Sequence, residues 1–420
     1  MKTLETLRAL AQDQFLNTQK IRRTLHCHPE LSGNEYWTSN YIASQLENLG
    51  LIVKRIVGGY GIIADLVVDP LKPTAALRVD IDALPMHEVN QVPYRSQIDG
   101  VMHACGHDVH SAIGIGSAAV LCNLTHELPG NIRFIFQPEE EEITGAQRMI
   151  DAGALENPTP SAIFGLHVAP LPAGKIAWTE SLFLAGFDHF LVSILPKSRS
   201  SPFMDDLDKI AERCCKAILD LNQWKLPITW ETMQTFWQEM QRTASPLRQF
   251  MVFDASQDEE DPEDWFGQFG LGIKAANPGL RKKALRRVRD VLNALCKNSR
   301  TRYRIEKVGT MMDMRNNTEL VHSVLPALKT TLGEDNLIQL HAAFPFNCED
   351  FALYTQQIPG AMIWLGAADP ENQKYAILHT PDFDVDESCL ISGMVALSAM
   401  LIEHLGSIAV SYTHLTLPTN

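Results

Sequence analysis

Apolar side chains recur at helical spacing through residues 3–26, with Leu4, Leu7 and Leu10 on one face and Phe15 and Ile21 continuing it until Pro29. The spacing predicts that the chain opens with a helix. A second amphipathic run, residues 38–49, is expected to end at Gly50, a residue suited to the left-handed turn that closes helices. The pattern then shortens to apolar and β-branched segments, residues 51–56, 61–68 and 75–81, separated by Gly58-Gly59 and by the turn Pro70-Leu71-Lys72-Pro73. These read as strands. A helix over residues 111–124 and a strand over 131–136 follow, and the alternation predicts an α/β sheet. Ligands in such sheets gather beyond the carboxyl ends of strands, which is where Asp80, Asp82, the run Glu139-Glu140-Glu141-Glu142 and His167 fall.

Around residue 183 the character changes. Residues 196–202 are turn-rich and residues 254–264 strongly acidic, while amphipathic runs at 206–221 and 279–297 predict helices. The second of these has a basic face, Arg281, Arg286 and Arg289, which reads as a solvated surface. From Asn316 the α/β pattern resumes, and an apolar strand over residues 361–365 leads toward His379. The expected organisation is a discontinuous metal-binding α/β domain, residues 1–182 and 310–406, built on a mixed sheet flanked by helices. Residues 183–309 are expected to form an inserted α+β lid or dimerisation-type domain. The last helix is expected to end at Gly406, leaving 407–420 as a tail. Residues 410–420 lack a helical period and resemble the translated read-through of a sequencing adapter, so they are expected to be a cloning artefact; resequencing the gene tests this.

A chain of 420 residues exceeds the size at which one hydrophobic core keeps growing, which supports more than one domain. No apolar run is expected to reach the ~20 residues of a membrane span, and Glu5 and Asp13 make the N-terminus unlike a secretory signal. The expected location is the cytoplasm, with no membrane partner. A net charge of −14 argues against nucleic acid as a partner, since that binding relies on Lys and Arg displacing counterions. Eight cysteines are too sparse for a disulfide framework, and Cys214-Cys215 lacks the spacing of a redox pair.

Residues 102–110, Met-His-Ala-Cys-Gly-His-Asp-Val-His, crowd a thiol, three imidazoles and a carboxylate into one stretch. Cys105 and His107 can face one ion if the backbone bends sharply between them, and Gly106 permits that bend. With one or two glutamates of the acidic run, His167 and His379, the candidate ligands outnumber the four that a structural zinc needs. A two-metal hydrolytic centre fits better, and Zn²⁺, Mn²⁺ or Co²⁺ suits this mixed N/O/S set. Adjacent glutamates suit a division of labour in which one binds metal and its neighbour takes a proton from water.

Several motifs stand in fixed order: Arg22-Arg23-Thr24-Leu25-His26 with His28-Pro29-Glu30-Leu31, then Asp80-Ile81-Asp82-Ala83-Leu84-Pro85, and MHACGHD at 102–108. FQPxEE at 136–141, Leu166-His167, Glu349-Asp350-Phe351 and His379-Thr380-Pro381 followed by Phe383 complete the series. The set resembles the M20 metallopeptidase and amidohydrolase family, specifically the branch of hippurate hydrolases, auxin-conjugate hydrolases and N-acetyl-diaminopimelate deacetylases. Similarity covers about residues 20–182 and 310–405. The resemblance implies two divalent metal ions, manganese, zinc or cobalt, held by Cys105 as the bridge with His107, Glu141, His167 and His379. It implies Glu140 as general base and Asp82 as a supporting residue beside the site. His103 and His110 are expected to be structural, His26 and His28 to cap or pack, Glu139 and Glu142 to be solvated charges, and Asp108 to orient a ligand imidazole.

The family's Gly-rich segment with a lid histidine, often supplied across a dimer, is not recognisable here. Counting back from Pro202 puts Ser198 at the histidine's position; His189, on an expected strand, is a poor substitute, and Lys274 stands where an arginine is expected. Lysine keeps the charge but loses the planar fork, and loss of one oxyanion donor typically costs ~10²–10³ in rate. The expected activity is metal-dependent cleavage of the amide bond of a small N-acylated amino acid, with a homodimer among the expected assemblies. Two alternatives stand beside it: a dipeptidase or aminoacylase of the same family, and a catalytically weak binding protein that retains the metal scaffold. The Glu140-Glu141 pair favours the enzyme.

Overall fold

The computed structural model describes residues 2–197, 207–257 and 267–415. α1 (Lys2–Cys27) and α2 (Tyr36–Asn48) lead into a hairpin of β1 (Ile52–Val57) and β2 (Gly61–Leu66), and then into β3 (Thr74–Asp80). α3 (His107–Cys122), β4 (Asn131–Gln137), α4 (Gly145–Asp151), β5 (Ile163–Pro172) and β6 (Ile176–Thr179) follow. A second group comprises β7 (Leu182–Leu184), β8 (Phe187–Pro196), α5 (Leu207–Leu219), α6 (Trp230–Met240), β9 (Met251–Ser256), β10 (Gln268–Ala275), α7 (Pro278–Asn298) and β11 (Thr301–Thr310). The chain closes with β12 (Met314–Arg315), α8 (Thr318–Leu332), β13 (Leu337–Leu340), α9 (Ala352–Thr355), β14 (Gly360–Ala368) and α10 (Cys389–Leu415).

An eight-stranded mixed sheet has the order β1-β2-β4-β3-β5-β14-β6-β13. Its centre, β4, β3, β5 and β14, is parallel, so four carboxyl ends share one rim. These strands are buried on both faces, as parallel strands covered by helices are. Alternate residues divide between two cores: Phe134 and Phe136 of β4, Leu77 and Val79 of β3 and Ile363 of β14 pack with α1, α3, α8 and α10. Ile135, Ala76, Met362 and Trp364, one position out of phase, pack on the other face with α4, α6 and α9.

A separate four-stranded antiparallel sheet, β11-β8-β10-β9, covers its one face with α5 and α7 through Phe190, Val192, Phe269 and Leu292. The strands entering and leaving this group, β7 and β12, pair with each other.

The structure departs from the sequence expectation at four points. α3 starts at His107, not at residue 111, because Gly106 takes a left-handed φ of +87° and lets the helix begin directly after the turn. α6 was not anticipated at all. α10 does not stop at Gly406 but runs to Leu415, since a glycine weakens a helix without breaking it; residues 416–420 lie outside the described residues. Within α10, Cys389–Ala409 is long and apolar enough to cross a membrane, with mean hydropathy 1.6, contrary to the sequence expectation. It is a core helix here, with 78% of that apolar window buried and Leu397, Leu401 and Leu405 inside the first core.

Candidate metal centre

The centre is assembled from the rim of the sheet. Gly106 joins Cys105 to the first turn of α3, and a Cβ added there would collide with the side chain of Val168. His107 Nδ1 donates to the Asp82 carbonyl at 2.9 Å and faces Asp82 Oδ1 at 3.1 Å. That fixes the ring and leaves Nε2 buried without a partner. His167, inside β5, donates from Nδ1 to the Val168 carbonyl at 2.8 Å, which turns its Nε2 to within 3.4 Å of Cys105 Sγ. His379 has a left-handed φ of 58° and its backbone N–H donates to the Ala104 carbonyl at 2.9 Å. Its Nε2 lies 3.3 Å from Cys105 Sγ and 3.4 Å from Glu141 Oε1.

Cys105, His107 and His167 offer three ligand atoms within 4.8 Å of one another, and so do Cys105, Glu141 and His379. Cys105 belongs to both sets. The donor chemistry fits a pair of divalent cations. His107 Nε2 and Glu141 Oε1 are buried with no hydrogen-bond partner, and burial with Glu141, Glu140 and Asp80 pushes the Cys105 thiol well above its ordinary range. A thiol so placed gives up its proton when a cation supplies the missing charge. Burial works against the charged form of His107, but Asp80, Asp82 and Glu141 outweigh it and raise its pKa to about 10.

The acidic run is shaped by a left-handed residue, Glu139, with φ 55°. Its N–H donates to Glu35 Oε1 at 2.9 Å, and its carboxylate accepts from Thr144 Oγ1 at 2.8 Å and pairs with Arg148. Glu139 is thus a 5% exposed clamp rather than the solvated charge expected, because the turn aims it inward at Arg148. Glu142 is exposed, as expected. Glu140 is buried, and burial together with Glu349, Asp350 and Glu141 raises its proton affinity well above the usual carboxylate range. Asp82 sits behind the ligands: its Oδ2 accepts from Ser32 Oγ at 2.7 Å and from the Glu141 N–H at 3.0 Å. It therefore touches both His107 and the Glu141 backbone.

Asp108 does not meet a ligand imidazole. Its Oδ2 binds Arg22 Nε at 2.7 Å and His26 Nδ1 at 2.8 Å, because this position of the first helical turn faces α1 while His107 faces the rim. His110 has both nitrogens engaged, donating from Nδ1 to Asp80 Oδ1 at 2.6 Å and accepting the Val168 N–H at 2.9 Å. His103 is buried with neither nitrogen partnered, and burial lowers its pKa to about 4. His28 stacks on Trp37.

Sequence reasoning missed Arg78. Its guanidinium binds Gln137 Oε1, Asp80 Oδ2 and Asp350 Oδ1, each at 2.8 Å, and Glu349 at 3.1 Å, directly behind Glu140. The local signal was partial: Arg78 and Asp80 sit two positions apart on β3 and so share one face. Lys274 donates to the Phe346 carbonyl at 2.6 Å, and burial lowers its pKa. With His189 it lines a cavity of about 900 Å³ on the open face of the four-stranded sheet. Ser198 and Pro202 lie outside the described residues.

The model of peptidase family M20/M25/M40 matches residues 76–403. The chain belongs to this family. A protein of Synechocystis sp. described as a probable hydrolase is 32% identical over 96% of this chain and 100% of its own. The N-acetylcysteine deacetylase of Bacillus subtilis is 30% identical over 90% of this chain and 94% of its own. The solved YXEP protein of Bacillus subtilis, described as a dinuclear metal-binding peptidase of the M20 family, matches with TM-score 0.71 and 26% identity over 94% of this chain and 99% of that one. The protein is an M20 hydrolase, with the family's mixed α/β fold and candidate sites for its dinuclear metal centre.

Proposed function

We propose that this M20 enzyme hydrolyses the amide bond of small N-acylated amino acids at a two-metal centre held by Cys105, His107, Glu141, His167 and His379. The observation that carries this reading is the shared Cys105 Sγ, common to two ligand sets, with buried Glu140 beside both glutamate and imidazole ligands. The relative that deacetylates N-acetylcysteine supports the substrate class. When bound, two divalent ions, with manganese, zinc and cobalt the best match to the N/O/S donors, polarise the scissile carbonyl and acidify a water. Glu140 takes the proton from that water and returns it to the leaving amine, so the products are a carboxylate and a free amino acid. Its raised proton affinity suits both transfers. Asp82 is the positioning residue, holding His107 and the Glu141 backbone.

Residues 1–182 and 310–406 form the catalytic unit in this reading, and 183–309 the lid. We place the enzyme in the cytoplasm, since its eight cysteines are free thiols. The test is Glu140→Ala with metal content measured. A variant that keeps its metal and loses hydrolysis by about 10²–10⁴ supports the assignment; one that keeps metal and full activity overturns it.

A further inference from the structure

The motif Glu349-Asp350-Phe351 has no task in the mechanism above. Its aspartate is fully buried and reaches, from the segment between β13 and β14, to both ends of the turn that carries Glu140 and Glu141. Asp350 Oδ1 accepts from Gln137 Nε2 at 2.9 Å and from Arg78 Nη2 at 2.8 Å. Its Oδ2 accepts from Gln137 Nε2 at 2.8 Å and from the Ala146 N–H at 2.9 Å. Gln137 is the last residue of β4 and Ala146 lies in the first turn of α4, so one carboxylate ties the strand before the turn to the helix after it. Thr144, the residue before α4, turns its hydroxyl to Glu139 instead of capping the helix, and Asp350 supplies the acceptor that this first turn lacks. The two ends also press together, since a Cβ on Gly145 would fall on the Pro138 carbonyl.

Within the turn, the Glu139 carbonyl accepts from the Thr144 N–H at 3.3 Å and the Gly145 N–H at 3.1 Å, and the Glu140 carbonyl accepts from the Ile143 N–H at 2.8 Å. A shift at either end is therefore passed to Glu140 through the backbone. Glu141 has an anchor outside the turn, its N–H on Asp82 Oδ2 at 3.0 Å. We propose that Asp350 is a further positioning residue: by clasping Gln137 and Ala146 it holds the Glu140 carboxylate where it exchanges a proton with the water and the leaving amine. The inference rests on the amidohydrolase reading, in which Glu140 is the general base. Misplacing such a group by about 1 Å costs on the order of 10² in rate.

Asp350→Asn, alone and combined with Gln137→Glu, tests this on the metal-loaded full chain, with N-acetylated and N-benzoylated amino acids as substrates. In the single variant an amide nitrogen replaces one carboxylate oxygen, so either Gln137 Nε2 or the Ala146 N–H faces another donor. The double variant exchanges carboxylate and amide between the two positions: net charge is kept, Arg78 Nε retains an acceptor, and an oxygen remains for the Ala146 N–H. The single variant is expected to lose about 10²-fold in kcat with KM within about threefold and metal content unchanged, and the double to regain at least about tenfold of that loss. Hydrogen exchange of residues 138–146, read by mass spectrometry, is expected to quicken in the single variant and return toward wild type in the double. That readout needs no turnover. If the wild type hydrolyses none of the substrates while exchange follows this pattern, the hydrolytic reading fails and the clasp stands. If Asp350→Asn does not fold, a double variant that folds, holds metal and stays within about tenfold of wild-type kcat supports the clasp. Wild-type kcat and exchange in the single variant, a kcat loss that follows lost metal, a folded and metal-loaded double variant no faster than the single, or failure of both to fold overturns it.

Discussion

Replacing Gly106 with alanine separates two constraints at the residue that joins Cys105 to His107. Its φ of +87° is a left-handed conformation, which costs an L-residue roughly 1–2 kcal/mol. The added Cβ also meets Val168 Cγ2 too closely and comes within 3.3 Å of Phe383 Cζ. Overpacking of a buried site costs about 1–3 kcal/mol. The two terms sum to about 2–5 kcal/mol. Urea unfolding followed by tryptophan fluorescence, on chelator-treated protein so that bound metal adds nothing by mass action, is the assay. Val168→Ala on the Gly106→Ala background removes the steric part and leaves the backbone part, so the double variant is expected to lose about 1–3 kcal/mol less than the sum of the singles. A Gly106→Ala cost under about 0.5 kcal/mol would refute the claim that this turn is conformationally obligatory. Strict additivity with Val168→Ala would refute the contact.

Asp82→Ala removes the carboxylate that faces His107 Nδ1, leaving only the backbone carbonyl to hold the ring, and frees the Glu141 N–H, and is expected to weaken metal binding about 10- to 100-fold in a competition titration with a chelator; unchanged affinity would show the aspartate is idle. Glu35 is raised to about 7, chiefly by burial. Since its folded pKa lies above the unfolded value, the wild type loses stability as pH rises from about 4.5 through 7. Glu35→Gln, which keeps the acceptor for the Glu139 N–H, is therefore expected to be near neutral at pH 5 and stabilising by about 1–2 kcal/mol at pH 8, and a pH-independent effect contradicts this. Chelation is expected to lower stability by about 3 kcal/mol for each ion lost, about 5 kcal/mol for the pair, relative to protein held at a hundredfold excess of Mn²⁺ or Zn²⁺ over its dissociation constants, restored on reloading; identical melting curves with and without chelator count against a resident metal.

Much of the site was legible because its chemistry is concentrated in short motifs. Cys105-Gly106-His107 announces a bent ligand pair, and the strand pattern around residues 75–81 and 131–136 puts the acidic residues at one rim. What escaped was of two kinds. Arg78 lies in a run that otherwise reads as an apolar strand, and its meaning depends on Asp350, 272 positions away. No local pattern reports such a partner. α6 does carry a helical period, with Met233, Phe236, Trp237 and Met240 buried, and a threonine cap. Its aromatic composition and the neighbouring Pro227 masked it as irregular chain, and only packing against Trp364 and Phe344 fixes its place. Glu139 misled for a third reason: in a run of four glutamates the backbone turn, not residue type, decides which carboxylate is buried.

Two buried charge networks lie on either side of His107, and their balance separates structure from function. Toward α1, Arg22, Arg23, His26 and Lys374 face Asp108, Glu88, Asp384 and Glu387, cation matched by carboxylate, with His26 raised despite its burial. Such a network explains itself as a scaffold that holds α1 against the start of α3. At the rim, Asp80, Asp82, Glu140, Glu141, Glu349 and Asp350 gather around Arg78, the one Lys or Arg paired with any of them among the described residues. Uncompensated buried charge costs several kcal/mol per ion, so a purely structural role would have favoured removing carboxylates from this rim. Their presence beside Cys105, His167 and His379, with His107 Nε2 free of any hydrogen bond, makes sense if cations of high charge complete the balance. The charge balance of the fold thus favours the metal-centre reading on the side of His107 where the carboxylates outnumber their paired cations.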